Sequence, residues 1–139
     1  MADAISNLLQ NDPRLWRARS TASGWQGLAS GWPELDSHLP GRGWPPHALT
    51  EILLARYGTG ELKLLMPALA RLSQSSPSES GGEGARWIAW IAPPFQPYAP
   101  ALLQWGIDLS RMLIVRPRKA SDALWAAEQA LSCGNCSAV

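Results

Sequence analysis

From residue 49 onward, short apolar runs alternate with amphipathic stretches, and that alternation admits few architectures. Residues 49–54, residues 86–92 and Met112–Val115 read as buried strands, apolar nearly throughout. Between the first two, Leu62, Leu65, Met66, Leu69 and Leu72 fall on one helical stripe, with Lys63, Arg71 and Gln74 off it. Pro67 interrupts that stripe and predicts a kink or a late helix start. Residues 97–105 predict a short helix that Gly106 ends. Residues 121–132 predict an Ala-rich helix with Leu124, Ala127, Ala130 and Leu131 inward, capped by Ser121 or Asp122 and stopped near Gly134. Residues 137–139 begin a fourth strand. Strands alternating with helices imply βαβ units, right-handed crossovers and a largely parallel sheet. The pattern stops where such a domain still needs strands, so the expectation is an α/β domain truncated at its carboxyl end.

The first strand-to-helix junction raises the question of chemistry. Ala55-Arg56-Tyr57-Gly58-Thr59-Gly60 leads into a helical pattern at Glu61, the strand–glycine loop–helix layout of a P-loop. The signature GxxxxGK[ST] requires Lys and then Ser or Thr after its last glycine, for the terminal phosphates and for magnesium. Here Gly58, Thr59 and Gly60 are followed by Glu61 and Leu62. A carboxylate in that place repels a triphosphate: two like unit charges 4 Å apart cost about 4 kcal/mol near a protein surface. The loop is read as a degenerate P-loop that starts a helix without binding ATP, so no cofactor and no catalytic residue is expected. An ordinary strand-to-helix turn that was never a P-loop explains the same residues equally well. A residual NTPase is the enzymatic alternative.

Composition narrows the remaining choices. With 139 residues, 46% of them hydrophobic and 17% charged, the chain supports one compact domain with a core. A net charge of +1 gives no global field toward nucleic acid or membrane. No apolar run approaches the roughly 20 residues of a membrane-spanning helix, and the amino terminus lacks a signal-peptide layout. A cytoplasmic protein with reduced thiols is expected. Eight tryptophans point to broad packing surfaces or an interface, because Trp buries much area at low entropic cost.

Residues 1–30 show weak periodicity, with Leu15-Trp16-Arg17 as an isolated amphipathic spot. They read as a flexible arm, anchored by Trp16 when it docks on a partner. The α/β domain is expected over residues 31–139. It opens with a helical turn that places Leu35 and Leu39 on one face, followed by the turn-rich Pro40-Gly41-Arg42-Gly43-Trp44-Pro45-Pro46. Residues 73–84, rich in Ser, Gly, Pro and Glu, read as a flexible loop.

Other candidate sites are sparse. Cys133-Gly134-Asn135-Cys136 is a CxxC, but at a helix carboxyl end, where the dipole opposes thiolate. A zinc site there would have to recruit the distant His38 and His47, so no metal is expected. No GxSxG occurs, and Glu34 with Asp36 and Glu79 with Glu83 lie in turns or the loop. Arg111, Arg116, Arg118 and Lys119 form a basic cluster, three of them just past the third strand. The carboxyl edge of a parallel sheet, where open α/β folds bind ligands, would gather Arg56, Tyr57, Gln96, Tyr98, Arg116, Arg118 and Lys119 as a partner surface. The lead-in carrying Trp32 and Trp44 is a second candidate face. Solvated loops account for the basic cluster without any partner, and contact with a DNA backbone is the other functional option.

Several linked stretches carry a resemblance. Gly31-Trp32-Pro33-Glu34-Leu35-Asp36, Leu49-Thr50-Glu51-Ile52 and the junction after them look like the start of a RecA-type core. Gly60-Glu61-Leu62-Lys63-Leu64-Leu65, Trp87-Ile88-Ala89-Trp90-Ile91-Ala92-Pro93-Pro94, Pro97-Tyr98-Ala99-Pro100 and Leu124-Trp125-Ala126-Ala127-Glu128-Gln129-Ala130-Leu131 resemble RecA/SulA-like proteins without a working P-loop. Within that group the sequence is most similar to the ImuA translesion-synthesis accessory family. Leu15-Trp16-Arg17 and Gly41-Arg42-Gly43-Trp44-Pro45 resemble the amino-terminal part of ImuA. SulA division inhibitors are similar over roughly residues 50–139 only. The resemblance implies a partial RecA-like sheet and a non-catalytic role in the bacterial SOS response to DNA damage. ImuA-like proteins act in error-prone translesion synthesis with an ImuB-type protein, an error-prone C-family polymerase and RecA, which implies association with the nucleoid when engaged. SulA-like proteins instead bind the tubulin-like division protein.

Overall fold

The computed structural model describes residues 25–74 and 86–139. Trp16, the arm up to residue 24 and residues 75–84 of the expected loop therefore lie outside the described residues. The chain forms two compact units, Met1–Leu64 and Leu65–Val139.

In the first unit, residues 27–44 fold back on themselves. Leu28 and Trp44 exchange both backbone hydrogen bonds, at 2.8 and 2.7 Å, as an isolated antiparallel bridge. Between them, α1 (Pro33–His38) starts on its proline and is followed by a 3-10 turn over Pro40–Arg42. Ser30 is fully buried, and its N–H donates to the Asp36 carboxylate at 2.9 Å. The Ser30 hydroxyl also accepts the Trp32 N–H at 3.0 Å. The Gly31–Asp36 motif is thus a self-tied turn in which the α1 carboxylate satisfies a donor that would otherwise be buried unpaired, a cost of about 1–3 kcal/mol.

The strand expected over residues 49–54 is absent. The segment is irregular, with Leu49 94% and Leu53 83% exposed. An apolar run becomes a strand only where a neighbour completes its ladder and covers a face, and this segment has no ladder partner among the described residues. The glycine loop and the helix after it are present. That helix, α2 (Glu61–Gln74), begins at Glu61 and is continuous through Pro67, so the late start is not observed.

In the second unit, β1 (Trp87–Ile91), β2 (Met112–Val115) and β3 (Cys136–Ala138) form a three-stranded parallel sheet in the order β2-β1-β3. The expected parallel α/β pairing is therefore present, on a sheet of three strands with flanking helices. The central strand is buried on both sides: Ile88 and Ala89, whose side chains point to opposite faces, are 1% and 2% exposed. A short α3 (Ala99–Gln104) follows β1 and ends at Gly106, whose φ of +80° suits glycine. Met66, Ala70, Leu102 and Ile107 make the core, with Trp90 and Met112 packed on it.

Ser73, expected to open the flexible loop, is instead fully buried in the last turn of α2. Its hydroxyl accepts the Asp108 N–H at 3.0 Å, and its carbonyl accepts Arg111 Nη1 at 3.2 Å. A small polar residue here looked like loop composition but ties a helix end to the connection before β2.

The last helix, α4 (Ala120–Ser132), is capped by Lys119 without a side-chain bond, so Ser121 and Asp122 lie inside its first turn. Ala127 and Ala130 are half-buried as expected, but Leu124 and Leu131 are exposed. The small alanines let the helix approach β1 closely and leave the two leucines on the outer face.

Candidate functional site

Two local arrangements carry chemistry, one in each unit. In the first unit, the loop before α2 binds its own side chain. Gly58 and Gly60 adopt φ of +83° and +103°, where a β-carbon is strained, and their N–H groups turn onto the Glu61 carboxylate. Gly58 N–H donates to Oε1 at 2.8 Å and Gly60 N–H to Oε2 at 3.0 Å. Thr59 donates its hydroxyl back to the Arg56 carbonyl, and Leu62 is half-exposed. Successive N–H groups in such a turn form a concavity for an anion, and the anion here is intramolecular. The Gly58 hydrogen bond is the leading reason that the Glu61 carboxyl is held below its ordinary value of 4.5.

The direction of that shift gives a pH prediction. A carboxyl with a depressed folded-state pKa contributes stability that is full above its unfolded value and disappears as pH falls through the folded one. The advantage of the wild type over Glu61→Gln in urea midpoint should be constant at neutral pH and shrink below 4.5. A difference independent of pH would mean that the charged carboxylate does not hold the loop.

In the second unit, the carboxyl ends of β1 and β2 open into a groove of about 510 Å³, lined by residues 92–96 and 116–117. Ala92 leaves β1 with φ of +51°, and its N–H donates to the Val115 carbonyl at 2.9 Å, joining the two strand ends. A non-glycine residue in that region stores about 1–2 kcal/mol of strain. Pro93, Pro94 and Pro117 stiffen the walls, and Phe95 is 69% exposed on the rim.

Of the seven residues proposed as a partner surface, Gln96 and Arg116 meet in this groove. Tyr98, Arg118 and Lys119 follow on the same connections and are exposed, whereas Arg56 and Tyr57 are exposed in the first unit. Arg111, the fourth basic residue, pairs with Asp108 at 3.5 Å. The Ser110 hydrogen bonds, ahead of Arg111, hold the Asp108 carboxyl below its usual range. Phe95 and Ala92 were missed by sequence reasoning, although an apolar strand stopped by Pro93-Pro94-Phe95 carries the signal. Cys133 and Cys136 are free thiols at the α4–β3 junction. Burial, then proximity to Cys133, raises the Cys136 thiol, which makes it a poor nucleophile. No group of three metal-ligating side chains occurs among the described residues.

The molecule is thus defined as a mixed α/β protein with a small parallel sheet, an internally occupied glycine loop and an open groove at the sheet's carboxyl edge. No family profile matches the chain. Over 78 residues it is 35% identical to the protein named "Cell division inhibitor SulA" of Edwardsiella piscicida, a match covering 56% of this chain and 42% of that relative. The aligned part therefore spans less than half the length of the relative. Among the described residues, no helix is long and apolar enough to cross a membrane.

Proposed function

We propose that this chain is a non-catalytic, cytoplasmic protein-interaction domain of the bacterial SOS response, built on a RecA/SulA-like plan. The observation that carries the non-catalytic part is the Glu61 carboxylate seated on the Gly58 and Gly60 N–H groups. A phosphate would have to displace a bound anion of like charge, with no lysine at the position after Gly60 to compensate. Millimolar ATP with magnesium should leave the thermal midpoint unchanged, and a clear rise would restore the NTPase reading.

Two finer readings have separate support. The similarity to SulA favours a division inhibitor that binds the tubulin-like division protein. The translesion reading is favoured by the amino-terminal motifs, of which Gly41-Arg42-Gly43-Trp44 forms the clamp closed by the Leu28–Trp44 bridge. In that reading the chain is an adaptor for an ImuB-type protein, RecA and an error-prone C-family polymerase. Purified candidates decide between them. Capture of the division protein alone supports inhibition, and capture of RecA or the ImuB-type protein supports translesion synthesis. The combined change Tyr57→Ala, Tyr98→Ala and Arg116→Ala should shift stability by less than about 0.5 kcal/mol per site yet weaken that capture substantially. Undiminished capture would move the interface away from these residues.

A further inference from the structure

The adaptor reading leaves open which chemistry the groove at the sheet's carboxyl edge recognises, and an occupant assigned to that groove rests on the same reading. Its lining mixes polar and apolar surface, with Pro93, Pro94 and Pro117 stiffening it beside the exposed ring of Phe95, and Gln96 and Arg116 supplying the polar part. Its volume, about 510 Å³, is enough to seat a few side chains. The Ala92-to-Val115 hydrogen bond joins both strand ends, so the groove is formed before anything binds and little ordering entropy opposes docking.

Its charges are unspent. Arg116 lines the groove, and Arg118 and Lys119 follow on the same exposed connection. Among the described residues, none of these three side chains makes an ion pair or a hydrogen bond, and Asp122 accepts the Ser121 hydroxyl instead. Arg111, on the preceding connection, is paired with Asp108 and the Ser73 carbonyl, so of the four basic residues flanking β2 the three past its carboxyl end are the unpaired ones.

We propose that this groove docks an extended acidic segment of a partner protein. An apolar side chain of that segment would lie against Phe95 and the prolines. Flanking carboxylates would take Arg116, Arg118 and Lys119. A protein segment fits better than nucleic acid. Polyanion binding grows with the number of phosphates neutralised, whereas three cations on a chain of net charge +1 supply little. Exposed aromatic and proline surface beside arginine forks is instead the composition of a peptide-binding interface.

The probe is a short fluorescein-labelled peptide with Asp and Glu around a single Leu-Trp pair, followed by anisotropy with the full chain. A control peptide carries Lys at every acidic position. The acidic peptide should bind at least tenfold tighter than the control, and its affinity should fall at least tenfold between about 50 and about 500 mM NaCl. Arg116→Glu with Arg118→Glu should abolish binding, and Phe95→Ala should weaken it about tenfold, with thermal midpoints unchanged because all three residues are exposed. Arg118→Glu with Lys119→Glu serves if the first pair fails to fold. Equal affinity for the two peptides, or binding indifferent to charge reversal, overturns the proposal. So does a single-stranded oligonucleotide that binds tighter than the peptide and is lost with the same reversals. Partner capture that survives charge reversal removes this groove but leaves the adaptor reading standing. Peptide binding in a chain that captures no damage-response or division protein removes the adaptor reading instead.

Discussion

Ile88→Ala should destabilise the sheet-bearing unit by about 2–5 kcal/mol, the range for emptying a large aliphatic site in a packed core. Ile88 is 1% exposed, lies on the central strand and stands opposite Met112 in register. The backbone of β1 cannot shift easily to fill the space, because it is hydrogen-bonded to β2 on one side and β3 on the other. Against the 5–15 kcal/mol that stabilises a typical domain, this loss is large enough to populate the unfolded state. Ile88→Val should cost only about 0.5–1.5 kcal/mol. Equilibrium urea unfolding followed by far-UV circular dichroism reads both. A loss under about 1 kcal/mol for the alanine variant would mean that β1 is not the buried centre of the sheet.

The strands and helices of the second unit were legible in the sequence because period and burial agree there. Trp87–Ile91 is apolar at successive positions since both faces are covered at Ile88 and Ala89, and Gly106 stops α3 through a positive φ that few other residues tolerate. Residues 49–54 carried the same apolar signal and misled, because a strand depends on neighbours that a local pattern does not specify. Leu124 and Leu131 misled for a related reason. Helical periodicity identified a stripe, but the alanines beside it set the contact with β1. At the candidate site, Glu61 is read from the sequence as unsuited to phosphate binding. That its carboxylate returns to the Gly58 and Gly60 N–H groups depends on two positive φ angles invisible in composition. The groove was legible as an edge with Gln96 and Arg116, while the strained turn at Ala92 and the outward ring of Phe95 were not.

Gly43→Ala should open the clamp of the first unit, and here the cost is purely steric. Gly43 is extended, with φ of 165°, a conformation that any residue adopts. The obstacle is space, since a β-carbon there would sit 2.6 Å from the Leu28 carbonyl carbon. The opposing chain cannot yield by turning a side chain, because it approaches with backbone. Gly27 is equally confined, as a β-carbon on it would lie 2.7 Å from the Gly43 Cα. Overpacking of this kind costs about 1–3 kcal/mol and sometimes more, and it falls directly on the paired Leu28 and Trp44 hydrogen bonds. Amide exchange at Leu28 and Trp44 should therefore accelerate by about tenfold or more, a factor of ten corresponding to 1.4 kcal/mol. Exchange in β1 and affinity for the acidic peptide should change little, because Ile88, Phe95 and Arg116 belong to the other unit. Unchanged exchange at Leu28 and Trp44 would refute the backbone contact. Loss of peptide binding in this variant would place part of the acidic segment's site in the tryptophan-bearing lead-in rather than in the groove beyond β1 and β2.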